Sequence, residues 1–199
     1  MAIKRLMRQT RTILAVPCID VAGVTYLISG TVALPILTPL AAPTAASLNT
    51  WQSVITANAV NASIGGNISQ AVLDSAKLGL GASATDSTLT ITSVGNEVTP
   101  TLTKVNATVE IFRDQDPLGN GVFNLAWQLL RTADIRYILV DRIQGGKKST
   151  SPFAVGDVVS LYVVKTDNGL DIIGDGKFTT MTQNFIPTGF VNPNYTLVA

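Results

Sequence analysis

Histidine, the side chain that most often serves as general base or metal ligand, does not occur in this sequence, and cysteine occurs once, at Cys18. Zinc sites built from Cys and His are thereby excluded, and so is an internal disulfide. A lone Cys is expected to act as a small buried hydrophobe. Carboxylates remain for catalysis, and Asp114 and Asp116 form the closest pair, in a proline-containing turn beside Asn120. Asp and Asn favour such turns because their side chains hydrogen-bond to nearby backbone, which explains the trio without any chemistry. It also lacks the further acids and closing Glu of a calcium-binding hand. Gly174-Asp175-Gly176-Lys177 is no phosphate loop, because Asp171 stands where the first Gly is required and Phe178 follows the Lys. No enzyme, no cofactor and no metal are therefore expected.

The elements that carry these residues are mostly strands. Thr88 to Thr92 and Lys104 to Ile111 alternate polar and apolar residues, the pattern of strands with one wet face. Ile135 to Val140 and Val158 to Val164 are apolar on both faces and rich in branched residues, which places them in a sandwich core or between subunits. Turn residues at Gln144 to Lys148, Asp167 to Gly169 and Gly174 to Gly176 separate these runs and favour an antiparallel meander. One helix is expected over about Val122 to Thr132, with a narrow polar stripe of Asn124, Gln128 and Arg131, and a shorter one at Thr44 to Leu48. The fold expected is mainly β (α+β): an antiparallel β-sandwich or barrel with one flanking α-helix, an extended N-terminal arm and a long loop. One domain spans 1–199, with the arm at 1–11, a Pro-rich extended inter-subunit loop at 31–50 and the sandwich at 51–199.

Charge is unevenly spread. Lys and Arg number 14 and Asp and Glu 13, so charged residues make up 14% of the chain, where about 25% is ordinary. The 53 residues from Val21 to Leu73 contain none. Charged side chains are those least often buried, so a stretch this long without them is poorly suited to facing water and well suited to facing protein. A membrane span is excluded by Pro35, Pro39 and Pro43, each of which would delete a helical hydrogen bond. Lys4, Arg5, Arg8 and Arg11 precede the first acid, Asp20, and make the N-terminus a cationic arm able to reach an acidic neighbour. The apolar run that follows is too short for a secretory signal, and Pro17 stands where a small residue is required, so cytoplasmic synthesis is expected. A net charge of +1 argues against a free-standing nucleic-acid binder.

The second half carries a resemblance. Phe112-Arg113-Asp114-Gln115-Asp116, Val122-Phe123-Asn124-Leu125-Ala126-Trp127, Arg136-Tyr137-Ile138-Leu139-Val140, Phe153-Ala154-Val155-Gly156-Asp157-Val158-Val159-Ser160-Leu161-Tyr162 and Phe185-Ile186-Pro187-Thr188-Gly189 occur in that order. Together they resemble the major tail tube protein of long-tailed, siphovirus-type bacteriophages, particularly those infecting actinobacteria. The likeness covers about Lys104 to Ala199, with Ile3 to Leu14 and Ala42 to Asn49 also similar.

The resemblance implies a virion structural protein whose copies form hexameric rings stacked as the tail tube, a channel for genome delivery. The partners it implies are further copies, other tail proteins and DNA that passes through the lumen without specific binding; no membrane is involved. The protein would reside in the virion tail, and in the host cytoplasm before assembly. By position, the arm residues Lys4, Arg5, Arg8 and Arg11 and the loop residues Leu34, Ile36, Leu37, Leu40 and Leu48 are the candidate inter-subunit contacts. The alternatives are a capsid decoration or tail-end protein, and a β-sandwich module that binds a receptor or carbohydrate.

Overall fold

The computed structural model describes residues 11–31, 34–52, 56–57, 64–81, 84–86, 99–102, 105–114, 121–143, 147–173 and 179–199. Along the chain run β1 (Thr12–Val21), β2 (Val24–Thr31), β3 (Leu34–Pro39), α1 (Ala45–Asn49), β4 (Thr56–Ala57), β5 (Ile64–Asn67), β6 (Lys77–Leu80), β7 (Ala84–Asp86), β8 (Thr99–Leu102), β9 (Val105–Arg113), α2 (Val122–Leu130), β10 (Arg136–Arg142), β11 (Val158–Thr166), β12 (Leu170–Ile173) and β13 (Thr179–Thr196). The main sheet has the order β3-β2-β1-β10-β11-β13-β9-β6, its ladders are antiparallel, and it is not closed into a barrel. The mainly β, antiparallel fold with a flanking helix is thus observed. Two helices are described, the second being the short one at Ala45–Asn49.

Strands β1, β10 and β11 are apolar on both faces because both faces are covered. Ile13, Ala15, Tyr137, Leu139, Tyr162 and Val164 point to one cluster, closed by Ala126, Leu129 and Leu130 of α2 and by Val109 and Ile111 of β9. The intervening Leu14, Val16, Ile138, Val140, Leu161 and Val163 point to the other, closed by Leu48 of α1, Trp51 and Phe153. A fully buried aliphatic side chain contributes roughly 1.5–3 kcal/mol, so these three strands are the energetic centre of the chain. Sequence alone left open whether such strands lie in a core or between subunits. Both faces are filled from within one chain.

Two expectations about boundaries change. The sheet does not begin at residue 51, because β1 at its centre starts at Thr12. The 31–50 segment is not an extended loop: β3 pairs with β2 from Thr31↔Leu34 to Tyr26↔Pro39, and α1 follows. Its capping box, Thr44 Oγ1 accepting from Ser47 N–H and Ser47 Oγ accepting from Thr44 N–H, starts α1 where the chain turns inward. In β9 the alternation expected from sequence holds, with Ala107, Val109 and Ile111 buried. The helix expected near 122–132 is α2, tied to β10 by Tyr137 Oη donating to the Leu129 carbonyl at 3.1 Å. Thr88 to Thr92, Gln144 to Gly146 and Gly174 to Lys177 lie outside the described residues.

Strand β1 changes partner partway. Thr12 to Pro17 pair with β10, and Cys18 to Val21 pair with β2. On its other edge β5 approaches so closely that a Cβ on Gly65 would lie 2.3 Å from Pro17 Cδ. The β1–β2 turn is Ala22-Gly23, with φ of 50° and 80°. Both values are left-handed, as a two-residue hairpin turn of matching twist requires, and Ala is poorly suited to the first. Ala22→Asn is expected to stabilise the chain by about 0.5–1 kcal/mol, a rise in melting temperature of a few degrees; a lower melting temperature would contradict this turn geometry.

Candidate self-association surface

The β2–β3 hairpin carries the exposed apolar residues of the uncharged stretch. Leu40 N–H donates to the Thr25 carbonyl at 2.9 Å, which, with the strand register, puts the backbone groups of Leu34, Ile36 and Thr38 toward β2. Those of Pro35, Leu37 and Pro39 therefore face outward. Both prolines stand where no ladder donor is lost; the Pro39 carbonyl accepts from Ala42 N–H at 3.0 Å, so this sheet edge offers the carbonyls of Pro35 and Leu37 and one N–H, that of Leu37. The side chains of Ile36 and Leu37, 58% and 42% exposed, project to opposite faces, and Val21 and Val24 at the β1–β2 turn are exposed as well. An edge strand that is apolar and carries no charge is open to pairing with another chain.

The candidate contacts divide. Ile36 and Leu37 are exposed, but Leu40 and Leu48 are buried in this chain's own core, with Leu27 and Trp51. Leu40 and Leu48 are therefore corrected to internal packing residues: after Pro39 the chain turns in, and α1 covers the sheet. Arg11 likewise serves its own chain. Its Nε and Nη2 donate to the two carboxylate oxygens of buried Asp141 at 2.9 and 2.7 Å, and its Nη1 donates to the Ala76 carbonyl. That bidentate bond raises the Arg11 pKa above its ordinary value against the opposing effect of burial, and it fixes the point from which the arm departs. Lys4, Arg5, Arg8 and the side chain of Leu34 lie outside the described residues.

What holds the hairpin's base is a polar seam that sequence reading missed. Trp51 Nε1 donates to the Ile28 carbonyl at 2.7 Å, meeting a β2 group that β1 no longer pairs. Asn49 accepts from Phe153 N–H and donates to the Phe153 carbonyl. Gln52 donates to the carbonyls of Ser149 and Ser151, and Asn67 to those of Gln52 and Ser149. At the centre lies Arg142, 1% exposed. It donates to the carbonyls of Lys148, Ser151 and Pro152, to Thr12 Oγ1 and to Asp157, with its guanidinium 4.4 Å from the Phe153 ring centre.

The electrostatics follow from that burial. Desolvation pulls the Arg142 guanidinium below its ordinary value while the hydrogen bond to Asp157 opposes it. At Asp157 burial works to raise the pKa, but hydrogen bonds from Lys147, from Ala154 N–H and from Arg142 outweigh it, and the carboxyl is held below its usual range. Uncharged Asn and Gln within the 53-residue stretch thus satisfy backbone that charged groups could not reach without loss of hydration.

Cys18 is buried, and desolvation pushes its thiol up to about 12, which makes it inert at neutral pH. Asp116 and Asn120 lie outside the described residues. Among the described residues no group of three or more metal-ligating side chains occurs, and no helix is long and apolar enough to cross a membrane. Arg113 and Arg131 stack on Trp127 at 4.2 and 4.4 Å, and Arg113 also pairs with Asp171, which clips α2 to β9 and β12.

Residues 29–199 match a family model described as phage tail tube protein. No curated protein matches the chain in sequence.

Arg142→Met is expected to lower stability by about 3 kcal/mol, because it leaves Thr12 Oγ1 and several partly buried acceptors without this donor; urea unfolding measures it, and an unchanged midpoint would contradict the seam. The depressed Asp157 carboxyl contributes stability that is present above the ordinary carboxylate pKa of about 4 and is lost as pH falls through its folded value. Melting temperature should therefore fall less steeply with acidification in Asp157→Asn than in the unmodified chain, starting from a lower value at pH 7; equal slopes would rule out this contribution.

Proposed function

The chain belongs to the phage tail tube protein family, and on that footing we propose that its copies close into hexameric rings which stack into a tube that conducts the genome. Membership makes it a structural virion component of the tail, not an enzyme, that assembles with its own copies and with other tail proteins. The rings, their sixfold symmetry, a siphovirus-type tail, the DNA-conducting lumen and a cytoplasmic pool before assembly belong to the proposal. What supports self-contact is the β2–β3 hairpin, where Ile36 and Leu37 stay exposed on a stretch that carries no charge. A permanently covered contact favours such residues, since each ion taken out of water costs several kcal/mol before it is paired. A net charge of +1 suits a lumen through which DNA must slide, because phosphate contacts would hold it.

Sedimentation and negative-stain microscopy of the purified chain test the reading, with Leu37→Asp as the control. The unmodified chain is expected to form rings or tubes. Leu37→Asp should remain a folded monomer with assembly reduced at least tenfold, since its side chain is half exposed and leaves the core intact. Persistent monomers of the unmodified chain at high concentration would overturn the tube, and normal tubes from Leu37→Asp would overturn the hairpin's part in it.

A further inference from the structure

Strand β6 ends the main sheet at the side opposite β3. Leu73 N–H donates to the Glu110 carbonyl and Phe112 N–H to the Ala71 carbonyl, so the even-numbered residues of β9 turn their backbone groups toward this side. By the register, Thr108 bonds Lys77 and Asn106 bonds Gly79, and the backbone groups of Leu78 and Leu80 point away from the sheet. The Ala76 carbonyl accepts from Arg11 Nη1 at 3.1 Å. Leu80 is 51% exposed, and among the described residues no strand pairs with this edge.

The edge of β3 is its counterpart. It offers the Leu37 N–H and the carbonyls of Leu37 and Pro35, the Pro39 carbonyl being taken by Ala42 N–H. Laid antiparallel with Leu37 opposite Leu78, the two edges match. Leu37 N–H meets the Leu78 carbonyl, Leu78 N–H meets the Leu37 carbonyl, and Leu80 N–H meets the Pro35 carbonyl. The next position sets Pro39 against Ala76, whose carbonyls are both occupied within their own chain, so the ladder stops there. A shift of two residues in either direction loses at least one of these bonds. In this register Ile36 lies opposite Gly79, where a Cβ would meet nothing within 4 Å, and exposed Leu37 lies beside Leu78 and Leu80.

We propose that β3 of one copy pairs with β6 of a second copy, antiparallel, with Leu37 opposite Leu78. The inference rests on the tail tube reading and names the two edges that join in it. Contact between two different edges of identical chains is head-to-tail, which closes rings or propagates, whereas β6 paired with β6 stops at a dimer and leaves β3 bare. Both open apolar edges are covered at once, and main-chain bonds fix the register.

Paired cysteines test edge and register in the assembled protein. Thr38 and Lys77 form a non-hydrogen-bonded pair in the proposed ladder, with Cα atoms about 4.5 Å apart, within reach of a disulfide. On mild oxidation of tubes, Thr38→Cys with Lys77→Cys is expected to give a ladder of dimers, trimers and higher species on a non-reducing gel. Ile36→Cys with Lys77→Cys, two residues out of register, should give at least tenfold less. The native Cys18 is buried and does not compete. Leu80→Pro removes an outward N–H that the β6–β9 ladder does not use, so it should melt as the unmodified chain does and assemble at least tenfold less, while Leu80→Val, which keeps the N–H, assembles normally. Tubes that yield no ladder, dimers alone, a stronger link from the offset pair, or normal tubes from Leu80→Pro overturn the pairing and leave the tube reading intact. Absence of tubes from the unmodified chain overturns the tube reading, and the pairing with it.

Discussion

Burial of β1, β10 and β11 on both faces is the constraint on which the rest of this chain depends. A sheet covered on both sides has wet ends only, and at one of them the carbonyls of Lys148, Ser151 and Pro152 turn inward and need donors from the chain. Arg142 supplies them. Its planar fork reaches three carbonyls, a hydroxyl and a carboxylate at once, a geometry that an ammonium group cannot copy. Asn49, Gln52 and Asn67 complete the seam and hold α1 over the Leu14 and Leu161 face. The position of α1 then fixes Trp51, and Trp51 holds Ile28 at the foot of the hairpin.

That chain of dependence explains how the 53 uncharged residues are used. Leu27, Ile28, Leu40, Leu48, Trp51, Ile68 and Ala71 lie in the chain's own core, so much of the missing charge is internal packing. Ile36 and Leu37, with Val21 and Val24 beside the adjoining turn, are left outside. Because the hairpin's foot is pinned and its outer edge is not, the exposed residues are presented on a fixed base. The self-contact proposed above would benefit from both properties: its residues are pre-positioned, which lowers the ordering cost of association, and they carry no charge to desolvate.

Sequence periodicity located the elements whose one face is wet. Val105 to Ile111 showed its buried side by alternation; of the polar stripe expected on α2, Gln128 and Arg131 face outward but Asn124 is buried. Ile135 to Val140 and Val158 to Val164 were legible as doubly buried, but an apolar run looks the same whether its cover comes from its own chain or another. That ambiguity also misplaced Leu40 and Leu48, which look like interface residues until α1 is seen to turn inward. The seam was illegible because several of its bonds join a side chain to backbone about a hundred residues away, and the nearer ones, from Arg142 to carbonyls 6 to 10 residues on, follow no helix or strand period. Pro35 and Pro39 suggest an extended loop in the sequence; they are the outward-facing positions of an edge strand, where a missing N–H costs no ladder bond.

Amide hydrogen exchange on free and assembled protein tests the division of the uncharged stretch most directly. Amides of β1, β10 and β11 should be equally protected in both states, because their cover is internal. The Leu37 amide, the outward donor on β3, should exchange rapidly in the free chain and slow by at least tenfold on assembly. Protection of Leu37 that is the same in both states, or a gain confined to β1, β10 and β11, would contradict the account.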